Sequence, residues 1–448
     1  MTPTDPAALD LLDHLVGLAR RAGADAADAL LADGTALSVG WRLGNLERLE
    51  RAEGGDIGLR VLVGRRQAIV ATAERAPEAL REVAERAVAM ARAVPEDPHC
   101  GLADPDQLAH DLPEIDQFDP TEPSPEDLLE QVRAAEDTAR AHPAVTNSEG
   151  AEAEWSQATV SLVATNGLAR QYRRSTSGLS VAVLAGGDGA MERDYAYTSA
   201  VHRGDLKSAE EIGREAAERA SRRLGGRQVG TAQVPLLFEP RVARGLLGHL
   251  LGAINGASIA RGTSFLADQL GQAVMAPGIT VREEPHRHRG LRSRPCDAEG
   301  LPTRARDLIA DGVLTTWLLD LRTARQLGLQ STGHAVRGSA SAPSPGVSNV
   351  HLVAGAESPQ AMIAAIDKGV LVSELFGHGI NPVTGDYSRG MAGFWIENGE
   401  ITHPVNEMTI AGNLKDMLRH LIPANDLTLD HATNSPTVRV DGMTIAGS

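Results

Sequence analysis

The chain has 448 residues, which at roughly 100–200 residues per domain allows two to four domains. Its 42% hydrophobic and 23% charged residues are ordinary for a globular protein, but aromatics are only 3%, so the core must rest on Ala, Val, Leu and Ile. A net charge of −16 argues against DNA or RNA as a ligand, because such binding depends on Lys and Arg neutralising phosphates.

Residues 7–22 read as an amphipathic helix, with Leu9, Leu12, Val16 and Ala19 at three- and four-residue steps. Residues 35–50 alternate as strands do. Gly54-Gly55 reads as a break before "IGLRVLVG" and "QAIVATA", two strands paired around Gly64. Residues 77–94 return to a helix whose Leu80, Val83, Ala87 and Ala91 share a face. Residues 95–124 mix Pro95, Pro98, Pro105, Pro113, Pro120 and Pro123 with many Asp and Glu, and predict an extended acidic connection over the surface. Ser124-Pro125 starts the next helix, Ser as cap and Pro in the first turn, running to about Ala141.

Residues 145–205 are strand-like, with Asn166-Gly167 as a hairpin turn and "GGDG" at 186–189 as a second tip. Ser208-x-x-Glu211 is a capping box opening a helix to about Leu224. "GGRQVG" at 225–230 predicts the boundary between an N-terminal region, 1–228, and a C-terminal one, 229–448. The second region opens with the strand "QVPLLFE" and a helix from Pro240. Short strand-like pieces follow at 278–282, 313–320, 347–353, 370–375, 392–397 and 400–402. Ser358-Pro359 starts one helix, stopped at Gly369. No fixed-period repeat is visible, and the coarse plan is α+β throughout.

Cys100 and Cys296 form neither a CxxC pair nor a disulfide framework. Asp10 and Asp13 interrupt the first apolar stretch, and no apolar run of about 18 residues occurs. The expectation is a cytoplasmic protein without a membrane span.

"RGLLGHLLGAINGASIARGTSF", Arg244 to Phe265, poses a question of chemistry. Gly245, Gly248, Gly252 and Gly256 fall on one helical stripe beside His249. Each helical Gly costs ~0.5–1 kcal/mol relative to Ala, so the stripe predicts close approach by another backbone or a bound chain. A helical zinc motif supplies two histidines and a Glu that activates water. Here one histidine stands without the Glu, and a lone helical His is usually structural. His286-x-His288, with Cys296, His334 and His378 as distant further ligands, is a second metal candidate, although "EEPHRHRGLRSRP" reads better as a solvated loop. "GHGINPVTGDYSRG" at 377–390 gathers Asn381, Thr384, Asp386 and Tyr387 among glycines. Turn chemistry accounts for most of it, and the spacing is not a Walker loop.

The segments "GLLGHLLGAINGASIARGTSFL", "STGHAVRG", "ELFGHGINPVTGDYSRGMAGFWIENGEITHPV" and "TIAGNLKDM" resemble the TldD/PmbA (TldE) peptidase family, PmbA/TldE branch. So do "TNGLARQYRRSTSG" and "ERDYAYTS", and the resemblance spans essentially the whole chain. It implies an α/β-type N-terminal part and a β-barrel-like, largely antiparallel C-terminal part with a few helices. TldD-type chains carry HExxxH on the equivalent helix and a cysteine ligand near the C-terminus. Here Leu and Gly surround the lone His249 over 247–252, and residues 420–448 hold no cysteine, so no zinc ligand carries over. The resemblance therefore implies a metal-free subunit that pairs with a zinc-bearing TldD-type chain. In the family the assembly degrades unfolded peptides and is linked to maturation of ribosomally made peptide antibiotics. It also places a peptide channel near Gly248, His249, Gly252, Asn381, Thr384, Asp386 and Tyr387, with no catalytic residue in this chain. A homodimer in isolation is compatible with that reading. The alternatives are an autonomous metallopeptidase using His286, His288, Cys296, His334 or His378, and a non-enzymatic peptide-binding or regulatory protein.

Overall fold

The computed structural model describes residues 5–187 and 189–447, so Asp188 of the predicted 186–189 turn lies outside the described residues. Asp5 caps the first helix, α1 (Pro6–Ala22), by accepting the Ala7 N–H at 3.0 Å, and Gly23 ends it at φ 104°. Strands β1 (Ala26–Arg42), β2 (Asn45–Val63) and β3 (Arg66–Thr72) and helices α2 (Pro77–Ala93) and α3 (Pro125–Arg140) follow. Then come β4 (Val145–Ala164), β5 (Ala169–Gly187), β6 (Ala190–Ala200) and α4 (Ala209–Arg222). The six strands form one antiparallel sheet in the order β3-β2-β1-β4-β5-β6.

β1 is buried on both faces, and its side-chain alternation explains the layering. Ala27, Ala29, Leu31, Leu37 and Val39 point at the helices, α1 and α2 covering one end of the sheet and α3 and α4 the other. Leu30 points the other way, into a cluster with Leu162, Leu168, Leu301 and Leu321 that joins the two regions. The predicted break at Gly54-Gly55 is absent: β2 runs straight through, pairing Gly54 with Gly34 and Gly55 with Asp33. Gly55 is there for space, because a Cβ would lie 1.7 Å from the Asp33 carboxylate, which pairs with Arg75.

The second region contains β7 (Ala232–Phe238), α5 (Pro240–Ala253), α6 (Gly256–Ala260), β8 (Val281–Glu283), β9 (Arg306–Ala310), β10 (Val313–Leu314) and α7 (Leu321–Leu327). It continues through β11 (Ala335–Val336), β12 (Ser344–Pro345), β13 (Val350–Leu352), α8 (Pro359–Ala364), β14 (Lys368–Ile380), β15 (Asp386–Glu397) and β16 (Glu400–Asn413). It ends with α9 (Leu414–Arg419), β17 (Leu421–Pro423), β18 (Thr433–Asn434) and β19 (Val438–Ala446). β16, β15, β14, β7 and β19 follow one another in a sheet that closes into a five-stranded barrel where Ile410 meets Ile445. Only β14 and β7 run parallel within it. Leu236, Phe238, Val370, Val372, Met391 and Val440 belong to its core.

Three local expectations change. Of the predicted strand 313–320 only Val313–Leu314 pairs as one. The rest threads between segments, Leu318 donating to the Ile254 carbonyl and Leu319 accepting from Thr332. The Ser358 helix stops at Ala364, because Lys368 and Gly369 already belong to β14. β19 was not among the predicted strands: a bulge between Val440 and Met443, with Gly442 at φ 82°, breaks its alternation.

Candidate functional site

α5 starts with Pro240 in its first turn and buries Val242, Leu246, Leu250 and Ala253 against the barrel core. The glycines lie on the opposite side. Gly248 and Gly252 are exposed, and a Cβ built at Gly245, Gly248 or Gly252 meets nothing within 4 Å. The expected close approach by another backbone is therefore absent among the described residues. Gly256 opens α6 instead of continuing the stripe, and it alone is crowded, its Cβ position lying 2.6 Å from the Leu318 carbonyl oxygen.

Beside this open strip the half-buried His249 ring packs edge-on to Tyr387, centroids 6.0 Å apart at 72°. Burial lowers the His249 pKa, and the Arg389 guanidinium lowers it further, so the ring is neutral at pH 7. Tyr387 is buried; burial pushes its pKa up to about 12, against the opposing charge of Arg389 and a side-chain hydrogen bond with it. Arg389 escaped sequence reasoning, although its i, i+2 spacing from Tyr387 on one strand face was an available signal.

Tyr387 pairs with Ile380 where β14 and β15 turn. Asn381, Thr384 and Asp386 build that turn. The Asn381 side-chain carbonyl accepts from Val383 and Thr384, Thr384 Oγ1 donates to Asp386 at 2.6 Å, and Asn413 donates to Asp386 at 3.2 Å. These three side chains are thus occupied in holding the tip. The strand leading to it is not covered: β7 ends at Phe238, opposite Val372, so from Ser373 to Ile380 one edge of β14 has no strand neighbour among the described residues.

The second metal candidate is dispersed. His286 contacts Thr303 Oγ1 at 2.9 Å, while His288 and His378 are exposed. Burial and the neighbouring Asp297 push the Cys296 thiol up to about 11, which makes it a poor ligand and nucleophile. Both ring nitrogens of the buried His334 are occupied, Nε2 by Glu283 at 2.7 Å and Nδ1 by Thr332 at 2.7 Å. Burial raises the Glu283 pKa, but hydrogen bonds from His334 and Ser348 outweigh it and hold the carboxyl at about 2. That network ties β8 to the 332–348 segment. Among the described residues no three His, Cys, Asp or Glu side chains are grouped to hold a metal ion, and Leu247, Gly248 and Gly252 carry no donor side chain.

Three family profiles match this chain in succession: PmbA/TldA metallopeptidase domain 1 over residues 27–91, the central domain over 118–224 and the C-terminal domain over 231–447. The metalloprotease PmbA of Escherichia coli O157:H7 is 39% identical over 425 residues, 94% of this chain and 92% of that protein. A metalloprotease TldD homologue of Haemophilus influenzae is 23% identical over 64% of this chain and 65% of its own length. A candidate modulator of DNA gyrase from Bacteroides thetaiotaomicron superposes with a TM-score of 0.92 at 27% identity, covering 99% of this chain and 100% of that one. TldE of Thermococcus kodakarensis shares the fold, with a TM-score of 0.87 at 22% identity over 98% of this chain and 100% of its own.

Proposed function

This chain belongs to the PmbA/TldD metallopeptidase family, and from that premise we propose that it is the metal-free, PmbA/TldE-type subunit of a two-component peptidase. A TldD-type chain would hold the zinc, and unfolded peptide would be the substrate. The observation that carries this reading is the open face of α5 at Gly248 and Gly252, where a donor side chain is replaced by empty space. Hydrolysis at neutral pH needs an activated nucleophile and a base to receive its proton, and this helix supplies neither.

What the chain does supply is a surface for a polypeptide. The strand-free edge of β14 runs from Ser373 to Ile380; the Ser373 and Leu375 carbonyls already accept from Arg241 and Arg389, and the rest offers main-chain groups beside the exposed strip of α5 that lacks side chains. An extended peptide added to such an edge is held by its backbone, so binding tolerates many sequences. His249 and Tyr387 would border it, with the Asn381–Asp386 turn holding the hairpin in place. The division of the chain at 228/229 and a cytoplasmic setting belong to the same proposal; among the described residues no helix is long and apolar enough to cross a membrane.

The test is reconstitution. The untagged, dialysed chain should contain no stoichiometric zinc and leave unfolded peptides intact. Mixed with a TldD-type chain carrying HExxxH, it should co-elute at micromolar concentration and cleave them, and substitution of the partner's motif Glu should abolish cleavage. About one tightly bound zinc per chain, or chelator-sensitive cleavage by this chain alone, would overturn the reading.

A further inference from the structure

We propose that the cleft between β6 and the first two turns of α5 is a carboxylate-binding site, in which Arg244 receives the carboxylate of a peptide. The proposal rests on the peptide-holding reading above only for taking the ligand to be a peptide. The cleft measures about 280 Å³, just below the ~300–1,000 Å³ usual for ligand pockets, so it suits the end of a chain better than a large cofactor. Tyr195 and Tyr197 of the "ERDYAYTS" motif line it, together with His431. Lys207, Arg219, Arg241 and Arg244 also line it, against Glu215 and Asp430, so cations outnumber carboxylates two to one in a chain whose net charge is −16.

The four cations are not equivalent. Arg241 donates to both oxygens of the buried Asp194, at 2.6 and 2.8 Å. Arg219 pairs with Glu215, and Lys207 lies 3.7 Å from both Glu211 and Glu215. Arg244 has no acidic partner among the described residues. Its Nε donates to the Arg241 carbonyl at 3.1 Å and its guanidinium lies 5.6 Å from the Tyr197 ring centroid, while neither terminal nitrogen has an acceptor among the described residues. A guanidinium steadied by a carbonyl and an aromatic ring, with its fork free, matches the geometry of a carboxylate. The His431 ring packs 5.1 Å from Tyr197. Burial first, then the charge of Arg244, pushes its pKa down to about 4, so at pH 7 it is neutral and can hydrogen-bond the ligand.

Position connects the cleft to the open strip. Arg244, Gly248 and Gly252 are spaced i, i+4 and i+8 on one helix face, so Arg244 stands ~12 Å from Gly252 along the axis at 1.5 Å per residue. That distance is spanned by about four extended residues.

The full chain is titrated calorimetrically with N-acetyl-Ala-Ala-Phe, with its C-terminal amide, and with N-acetyl-Ala-Glu-Ala amide. The acid is expected to bind about tenfold more tightly than its amide, the scale of one charge-assisted hydrogen bond. Arg244→Gln should reduce the acid to the level of the amide without moving the melting temperature, and Arg244→Lys, which keeps the charge but not the fork, should lie between. A Glu peptide binding as tightly as the acid assigns the site to carboxylates of either source; weaker binding assigns it to chain ends. Equal affinity for acid and amide, no binding of either at about 5 mM, or an undiminished preference in both variants overturns the proposal. If Arg244→Gln does not fold, the acid–amide comparison and Arg244→Lys still decide. A carboxylate preference without cleavage by the reconstituted pair would defeat the peptidase-subunit reading and keep this one; the reverse result would do the opposite.

Discussion

Arg337 and Asp28, 309 positions apart, form a buried ion pair that fastens the second region to the first sheet. Arg60 completes the group, its Nε donating to the other Asp28 oxygen at 2.7 Å. Burial raises the Asp28 pKa, but the two guanidinium groups outweigh it and hold the carboxyl below its usual range. The contact is close on the backbone side as well: a Cβ at Gly58 would lie 1.8 Å from the Ser339 carbonyl oxygen, so only glycine admits the 337–341 segment there.

Replacing Arg337 should therefore act on the join between the regions. Arg337→Met leaves a buried carboxylate half-paired, and should destabilise the chain by about 3–5 kcal/mol in calorimetric melting. Arg75→Met breaks the exposed pair with Asp33 and should cost less than about 1 kcal/mol. Comparable losses in the two variants would refute the structural role given to Arg337.

Stability should fall between about pH 4.5 and pH 8 through Glu299. Burial and the neighbouring Asp297 push its carboxyl up to about 8, against the opposing charge of Arg60. From about pH 4.5, its ordinary pKa, up to about 8, the folded state keeps a proton that the unfolded state has released. The stabilising contribution is complete below pH 4.5 and is lost as pH rises through 8. Glu299→Gln should flatten the decline in melting temperature between pH 5 and pH 8 by at least a few degrees (about 2–4 °C per kcal/mol). A pH profile unchanged by the substitution would contradict this.

Gly252→Leu separates folding from function. Its side chain enters open space, so the melting temperature of the isolated chain should stay within about 2 °C, or within about ±0.5 kcal/mol. If a peptide lies along α5, the same leucine should depress cleavage by the reconstituted pair at least tenfold, equivalent to about 1.4 kcal/mol. Full activity would remove the peptide from this face.

Tyr387→Phe removes the buried hydroxyl that hydrogen-bonds Arg389. A hydrogen bond to a charged group contributes about 1.5–3 kcal/mol, so the variant should melt below the native temperature. Loss of peptide affinity beyond that seen in an equally destabilised variant elsewhere would give the hydroxyl a binding role. A melting temperature at or above the native one would refute the bond.

Local signals were legible wherever the physics is local. Ser124 and Ser208 cap helices by hydrogen bonds that reach only three residues, to Asp127 and Glu211, so the letters alone mark the helix starts. Asn166-Gly167 turns β4 into β5 for the same reason, Gly167 taking φ 92° at no steric cost. Gly54-Gly55 misled because a glycine can equally mark a turn or a crowded strand, and the crowding comes from Asp33 and Arg75, 22 and 20 residues away from Gly55.

At the candidate site the sequence by itself determined the side-chain inventory: a helix with one histidine flanked by Gly245, Gly248 and Gly252, and no cysteine after residue 420. Only the tertiary structure decided that Gly248 and Gly252 face open space while Gly256 is crowded, and that Asn381, Thr384 and Asp386 are taken up by their own turn. It also decided that Arg244, Tyr197 and His431 share one cleft and that β16 meets β19 to close the barrel. These relationships join positions tens to hundreds of residues apart, and what sets them is which apolar faces pack together and which buried charges find partners, neither of which any local run of residues encodes.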